Sequence, residues 1–156
     1  ALTEPGPWKI GMTGFGEILP DHANRMYLDR SNHDAWGLPI FAFDCELKAN
    51  ERQMRPDMVN EAAEMLIAAG AKNVEGRDSG YTFGRGIHEM GTARMGRDPK
   101  TSVLNAHNQV WEAKNVFVTD GACMTSAACV NPSLTYMALT ARAASFATDE
   151  MKKGNL

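Results

Sequence analysis

Glycine is concentrated in one stretch of this 156-residue chain, where six glycines fall between Gly76 and Gly96. Glycine weakens the interior of helices and strands because it loses the most conformational freedom on folding, so no long regular element is expected there. The missing side chain also lets the backbone approach a ligand closely. The stretch therefore predicts either a binding site or a long surface loop, and the glycines alone do not distinguish the two.

Regular elements are expected before this stretch. Three short apolar runs, IGMTGFGEIL (10–19), NRMYLD (24–29) and LPIFAFDCEL (38–47), lie among Gly and Pro residues and predict strands. Residues 51–69 repeat apolar side chains at the three-and-four spacing of a helix face, and Gly70 is the expected C-terminal cap. Pro56 lacks a backbone N–H, so a break in the helix is predicted there.

The last third of the chain predicts a strand followed by a helix. The run NVFVTDG (115–121) indicates a short buried strand, and residues 131–151 indicate a helix with Asn131 as N-cap and Pro132 at the first helical position. A strand, a tight loop and a capped helix are typical of α/β sheets, whose ligands lie beyond the strand ends. The helix start is either an anion site or an ordinary capped terminus.

Composition excludes some classes of partner. The formal net charge is -3 without a dense basic run, which argues against a nucleic-acid surface, and no apolar run reaches the roughly 18 residues of a membrane span. Three cysteines, Cys45, Cys123 and Cys129, have no metal-ligand spacing, so no metal site is predicted and the cellular compartment stays open. A chain of this length is expected to bury a substantial hydrophobic core.

Four linked motifs in the second half carry a family resemblance: H-x-x-G-T-x-x-M-G (88–96), S-V-L-N (102–105), N-V-F-V-T-D-G (115–121) and N-P-S-L-T (131–135), the last leading into an Ala-rich helix. Their order and spacing resemble the C-terminal part of the glucose–methanol–choline (GMC) family of flavin oxidoreductases. Linked motifs of this kind are far more specific than any single one. A metalloprotease is not indicated, because the second histidine of H-E-x-x-H is missing.

The resemblance implies catalytic roles for two residues. His88 takes the place of the catalytic histidine, which would accept a hydroxyl proton while hydride passes to the flavin of FAD. Asn131 takes the second position, His or Asn among relatives, and would hold the substrate oxygen. An imidazole suits the base because its charge changes near physiological pH. The other histidines, His22, His33 and His107, are expected to be surface or otherwise satisfied residues.

The resemblance also implies cofactor contacts. Asp120 and Gly121 correspond to the contact with the ribityl and pyrophosphate region of FAD. The helix start at Asn131, Pro132 and Ser133 would stabilise negative charge on the reduced flavin. Glu89 departs from the family pattern, since relatives often have proline after the histidine. Asn131 together with N-P-S-L-T resembles sugar, gluconate, glucoside and pyranose-oxidising members, which favours a sugar, glycoside or polyol substrate.

The implied fold is α+β / α/β, as a fragment of a GMC fold. Residues 1–75 would be substrate-domain elements, 76–100 a Gly-rich active-site segment, and 101–156 the strand and helix that complete the FAD-binding domain. No glycine-rich βαβ unit for FAD is found, so the chain is expected to need an N-terminal part of the same protein and to retain FAD weakly or not at all by itself. The alternative is a non-catalytic domain or subunit that binds a small ligand on the same scaffold. The electron acceptor is left open.

Overall fold

The computed structural model describes residues 3–80, 82–85 and 87–156, so that Gly86 of the glycine-rich stretch lies outside the described residues. Its elements are two strands, β1 (Arg25–His33) and β2 (Pro39–Asp44), and two helices, α1 (Ala49–Ala68) and α2 (Ser133–Lys152). The chain divides into two compact units. One comprises residues up to Gly16 and Leu47–Gly80, and the other comprises Glu17–Glu46 and the described residues after Gly80. The architecture is α+β.

Strands β1 and β2 form an antiparallel hairpin in which Leu28 pairs with Phe41. The turn is fixed by Asp34, whose Oδ1 accepts the N–H groups of Trp36 and Leu38 at 2.9 Å each. The two predicted strands at 24–29 and 38–47 are thereby confirmed. Phe41 is 61% exposed on one face of the hairpin and Ile40 is 39% exposed on the other, so neither face is covered.

Helix α1 has well-defined ends. At its start the Lys48 N–H donates to Glu51 Oε2 at 3.0 Å. At its end Gly70, with φ +87°, donates to the Ile67 carbonyl, and the Ala71 N–H donates to the Leu66 carbonyl. This pair of hydrogen bonds is a Schellman motif, which satisfies carbonyls that the helix leaves without a partner. The predicted cap at Gly70 is confirmed.

The predicted break at Pro56 is wrong, because α1 continues through it. A proline in a helix removes one backbone hydrogen bond and crowds the preceding turn, but it does not remove the bonds on either side. Pro56 is exposed, so water can reach the backbone around it. The helical turns before and after Pro56 therefore hold the helix together.

The predicted strand at residues 10–19 is also wrong, since these residues form no regular element. Two of its three glycines, Gly14 and Gly16, pack against α1 instead. A Cβ added to Gly14 would lie 3.3 Å from the Cβ of Met58, and one added to Gly16 would lie 2.5 Å from Cε of Met54. Close packing of backbone on methionine side chains replaces strand pairing here.

Helix α2 begins one residue later than predicted, at Ser133 and not at Pro132. Pro132 is the N-cap, and its carbonyl accepts the Tyr136 N–H at 3.1 Å, so Asn131 precedes the helix and is not its cap. The predicted strand at 115–121 is reduced to an isolated bridge between Phe117 and Gln109. Val116 is 43% exposed, and its backbone hydrogen-bonds to Val110 and Ala113.

The expected hydrophobic core is small. Among the described residues, the fully buried apolar side chains are those of Leu104, Cys123 and Ala143. Most large apolar side chains of the hairpin and of α2 remain exposed, so this length of chain does not enclose a core of the predicted size. No helix in the described part of the chain is long and apolar enough to cross a bilayer.

Candidate active site

The segment that follows His88 runs beside the loop that leads to α2. The N–H groups of Gly91, Ala93 and Met95 donate to the carbonyls of Gly121, Ala122 and Cys123, at 3.3, 2.9 and 2.9 Å respectively. Alternate residues of one segment thus pair with successive residues of a 3₁₀ turn, Gly121–Cys123. The pairing fixes the backbone just after His88 to the backbone just after Asp120.

Gly121 is the closest contact in this pairing. A Cβ at this position would lie 2.8 Å from the Glu89 carbonyl oxygen and 3.1 Å from both Met90 Sδ and the Tyr136 hydroxyl. Gly121 is buried and its φ is not positive, so the requirement for glycine is one of space and not of backbone conformation. The structure gives Gly121 a packing role, and its predicted contact with a cofactor stays a prediction.

Asp120 caps the 3₁₀ turn. Its Oδ1 accepts the Ala122 N–H at 3.0 Å, and the residue is exposed. Cys123, the last residue of the same turn, is buried. Burial raises the pKa of the Cys123 thiol, and the charge of Asp120 raises it further. Cys123 is therefore a neutral thiol and not an activated nucleophile.

Tyr136 joins the first turn of α2 to the histidine segment. Its hydroxyl donates to Met90 Sδ at 3.6 Å. Burial raises the pKa of Tyr136, and the negative charges of Asp120 and Glu89 raise it further. The phenol therefore keeps its proton and remains a hydrogen-bond donor.

His88 and Asn131 are both exposed, and each follows a residue or loop with unusual backbone geometry. Ile87, directly before His88, has φ +67°, and Ala128, three residues before Asn131, has φ +52°. A β-branched residue in this region is strained, by roughly 1–3 kcal/mol, and such strain is most common at functional sites. The remaining histidines, His22, His33 and His107, are also exposed, as predicted, and His107 stacks on Phe146 at 4.0 Å.

The structure joins the sequence neighbours of the predicted site residues, and the roles of His88 and Asn131 stay predictions. The neighbours of His88 contact Gly121, Asp120 caps the turn that Gly121 begins, and Tyr136 lies one turn into the helix that follows Asn131, Pro132 and Ser133. Pro132 is buried, whereas Asn131 and Ser133 are exposed and accessible to a ligand. Among the described residues, no group of three or more His, Cys, Asp or Glu side chains could hold a metal ion.

Sequence reasoning missed a buried polar contact that supports the site. Asn108 is fully buried with φ +63°, donates from Nδ2 to the Val118 carbonyl at 3.0 Å, and accepts from Arg142 of α2 at 3.2 Å. It connects the segment before Asp120 to α2. The sequence around Asn108 does not predict that its side chain is buried and hydrogen-bonded. The one available signal is that asparagine tolerates the left-handed backbone conformation better than most residues. Met90 and Tyr136 were missed because their sequence positions are typical of packing residues.

The comparisons agree with the motif resemblance. A family model described as GMC oxidoreductase matches residues 20–140, which is more than half of the chain. The chain belongs to the GMC oxidoreductase family. This GMC chain is 38% identical to 2-methyl-1,2-propanediol dehydrogenase of Mycolicibacterium austroafricanum, over 85% of the chain and 24% of that relative.

Two further relatives have similar coverage. Paromamine 6'-oxidase of Streptomyces fradiae is 35% identical over 81% of the chain and 24% of that relative. Gluconate 2-dehydrogenase flavoprotein of Pantoea cypripedii is 29% identical over 84% of the chain and 22% of that relative. The GMC chain thus spans about a quarter of the length of these curated relatives.

Proposed function

We propose that this chain is the C-terminal catalytic portion of a flavoprotein that oxidises a CH–OH group of a sugar, glycoside or polyol. In this proposal His88 is the general base and takes the hydroxyl proton of the substrate. The amide of Asn131 binds the same oxygen by a hydrogen bond. FAD, bound mainly by an N-terminal part of the same protein, accepts the hydride.

One observation carries the proposal, namely the backbone pairing of residues 91–95 with the 121–123 turn. This pairing brings the segment of the base to the loop that ends at α2, although the two segments are far apart in sequence. A base must lie within hydrogen-bond reach of the proton that it removes, together with a group that orients the substrate. The Tyr136 contact connects the His88 segment to the helix that follows Asn131.

The residues at this place suit a flavin nucleotide. Asp120 is exposed, and a carboxylate can accept hydrogen bonds from ribityl hydroxyls. The exposed first turn of α2 carries the positive end of a 20-residue helix, which favours an anionic group. Leu134 in that turn is 79% exposed and provides an apolar surface for an aromatic ring system. These three features support the predicted contacts at Asp120 and at the helix start, Asn131–Ser133.

The names of the relatives support the substrate class. They specify a diol, paromamine and gluconate, and two of the three are dehydrogenases while one is an oxidase. The hydroxyl group is therefore the shared reactive feature that we propose for this protein.

The test is anaerobic reduction of the flavin in the full-length protein by a panel of sugars, glycosides, polyols and choline. We expect one class to bleach the flavin and His88→Ala to slow bleaching by roughly 10² to 10⁴, the usual contribution of a positioned base. Free imidazole should restore part of the rate of His88→Ala, because it replaces the lost side chain. His33→Ala, another exposed histidine, is the matched control and should bleach at the parent rate.

Two outcomes would contradict the proposal. If no hydroxyl compound bleaches the flavin, the chain is better explained as a non-catalytic domain that binds a small ligand on the GMC scaffold. If His88→Ala reacts as fast as the parent, the reaction class can stand but His88 is not its base.

A further inference from the structure

We infer that Gly121 and Tyr136 are positioning residues for His88, acting through the Glu89 carbonyl and the Met90 side chain. We call these four residues the histidine clamp: Gly121, Tyr136, Glu89 and Met90. The inference rests on the proposed function, because it assigns how the proposed base is held. It gives Gly121 a role toward the protein backbone in addition to any role toward a cofactor.

The first half of the clamp is a steric contact. At Gly121 the space for a side chain is already taken on three sides by the Glu89 carbonyl oxygen, Met90 Sδ and the Tyr136 hydroxyl, at 2.8 to 3.1 Å from a Cβ. Contacts below 3.0 Å to backbone are not tolerated by a real Cβ, so any other residue must displace the Glu89 backbone. Glu89 directly follows His88, and its displacement moves the imidazole with it.

The second half is a polar contact from α2. The Tyr136 hydroxyl donates to Met90 Sδ at 3.6 Å, and the half-buried phenol keeps its proton. Sulfur is a weak acceptor, so this bond contributes orientation more than stability. Because Tyr136 lies on the helix that follows Asn131, the contact sets the spacing between the segment of the base and the segment of the substrate amide.

The clamp acts on His88 from one side only. After His88, Gly91 has φ +87° and its N–H donates to Gly121, which continues the clamp into the paired segment. Before His88, Ile87 is 89% exposed and in a strained left-handed conformation. The backbone is thus held in place from Glu89 onward, and His88 directly precedes this held segment. On the N-terminal side of His88, the exposed Ile87 adds little packing.

The test uses the full-length flavoprotein and two variants. For Gly121→Ala we expect kcat to fall by roughly 10²-fold, the scale of an ångström-sized misplacement, while substrate KM changes by less than about twofold. For Tyr136→Phe, which keeps the ring and removes the hydroxyl, we expect kcat to fall by roughly three- to tenfold with KM again unchanged, because only a weak hydrogen bond is lost. Flavin content per protein should match the parent in both variants.

The double variant separates positioning from independent effects. If Gly121→Ala has already moved Met90 out of reach of Tyr136, adding Tyr136→Phe costs nothing further. The kcat of the double variant should therefore equal that of Gly121→Ala within about twofold, whereas independent sites would multiply their losses. Gly11→Ala, with open space around its Cβ and no positive φ, and Tyr27→Phe in β1 are the matched controls and should keep the parent kcat.

Each failure has its own signature. A parent-like kcat in both clamp variants, alongside a large loss in His88→Ala, would overturn the clamp and leave the proposed function intact. Loss of flavin from Gly121→Ala would overturn the positioning role of Gly121 and assign it to cofactor binding. A rise in KM equal to the fall in kcat/KM would show a substrate-binding role instead. If His88→Ala is fully active, the proposed function itself fails and the clamp has no base to position.

Discussion

At the scale of single residues, short acidic and amide side chains fix the turns of this chain. A carboxylate or amide oxygen accepts the N–H two residues further along, which is the geometry of an Asx turn. Among the residues that the structure describes, seven do this: Asp21, Asp29, Asp34, Asp78, Asp98, Asn105 and Asp120. Because each turn closes within three residues, its sequence signal is local. The contact of Gly121 with Glu89 has no such signal, since it joins residues that are distant in sequence.

Asp29 gives a pH prediction at this scale. It lies where the register of β1 shifts, and hydrogen bonds from Ser31 and Asn32 lower its pKa to about 2 from the ordinary 3.8. The stabilisation that these bonds provide is fully present above the ordinary pKa and is lost as pH falls from about 4 through about 2. We expect the Asp29 carboxyl carbon to titrate near pH 2 by NMR.

Ser31→Ala tests the cause of this shift. The Ser31 hydroxyl is the largest contribution, so the variant should raise the titration midpoint of Asp29 toward the ordinary value. Ser145→Ala, the same change on the exposed face of α2, should leave that midpoint where it is. A midpoint near 3.8 in the parent protein would contradict the hydrogen bonds described at β1.

At the scale of elements, the sequence predicted the two helices and the two strands of the hairpin, but not the pairing of those strands or every boundary. The three-and-four spacing in 51–69 and the alternation in β2 are local patterns, and both elements are present. The strand expected at 115–121 forms only an isolated bridge, because strand formation depends on a neighbouring strand that the local sequence does not specify. Helix α2 starts at Ser133 and not at the predicted Pro132. The first helical hydrogen bond is accepted by the Pro132 carbonyl, so Pro132 is the N-cap in place of Asn131.

Pro56 carries the prediction at this scale. It lies inside α1 where a helix former would restore a backbone hydrogen bond, so Pro56→Ala should stabilise the helix by roughly 1–3 kcal/mol. Amide hydrogen exchange of α1 in the full-length protein should slow accordingly. Pro99→Ala, in the turn closed by the Thr101 N–H and the Asp98 carbonyl, is the matched control and should speed exchange locally. Faster exchange in Pro56→Ala would mean that the proline is needed for packing.

At the scale of the whole molecule, the chain leaves much of its apolar surface uncovered. Phe43 in β2 is 67% exposed and Met137 in α2 is 68% exposed, and large solvent-facing side chains of this kind mark surfaces that pack against something else. The length of the curated relatives, about four times the matched segment, is consistent with further chain that covers them. The division into substrate-domain elements (1–75), an active-site segment (76–100) and FAD-domain elements (101–156) stays a prediction.

The isolated 156-residue chain provides the prediction at this scale. We expect it to retain no stoichiometric FAD after gel filtration. Its proposed contacts with FAD are limited to the start of α2 and the Asp120 carboxylate, and its sequence contains no glycine-rich phosphate loop. It should also bind the apolar dye ANS more strongly per residue than the full-length protein, since Phe43 and similar side chains are uncovered. Stoichiometric FAD on the isolated chain would contradict this, and it would favour the ligand-binding alternative.

The space around Gly121 has a genetic consequence. Every single-nucleotide change of a glycine codon that yields another amino acid introduces a Cβ, and at this position each of them meets the Glu89 carbonyl oxygen. No missense mutation at this codon is therefore structurally silent. In a library of random variants selected for activity, codon 121 should be among the least tolerant, while the codon of Gly11, whose surroundings are open, should accept many replacements.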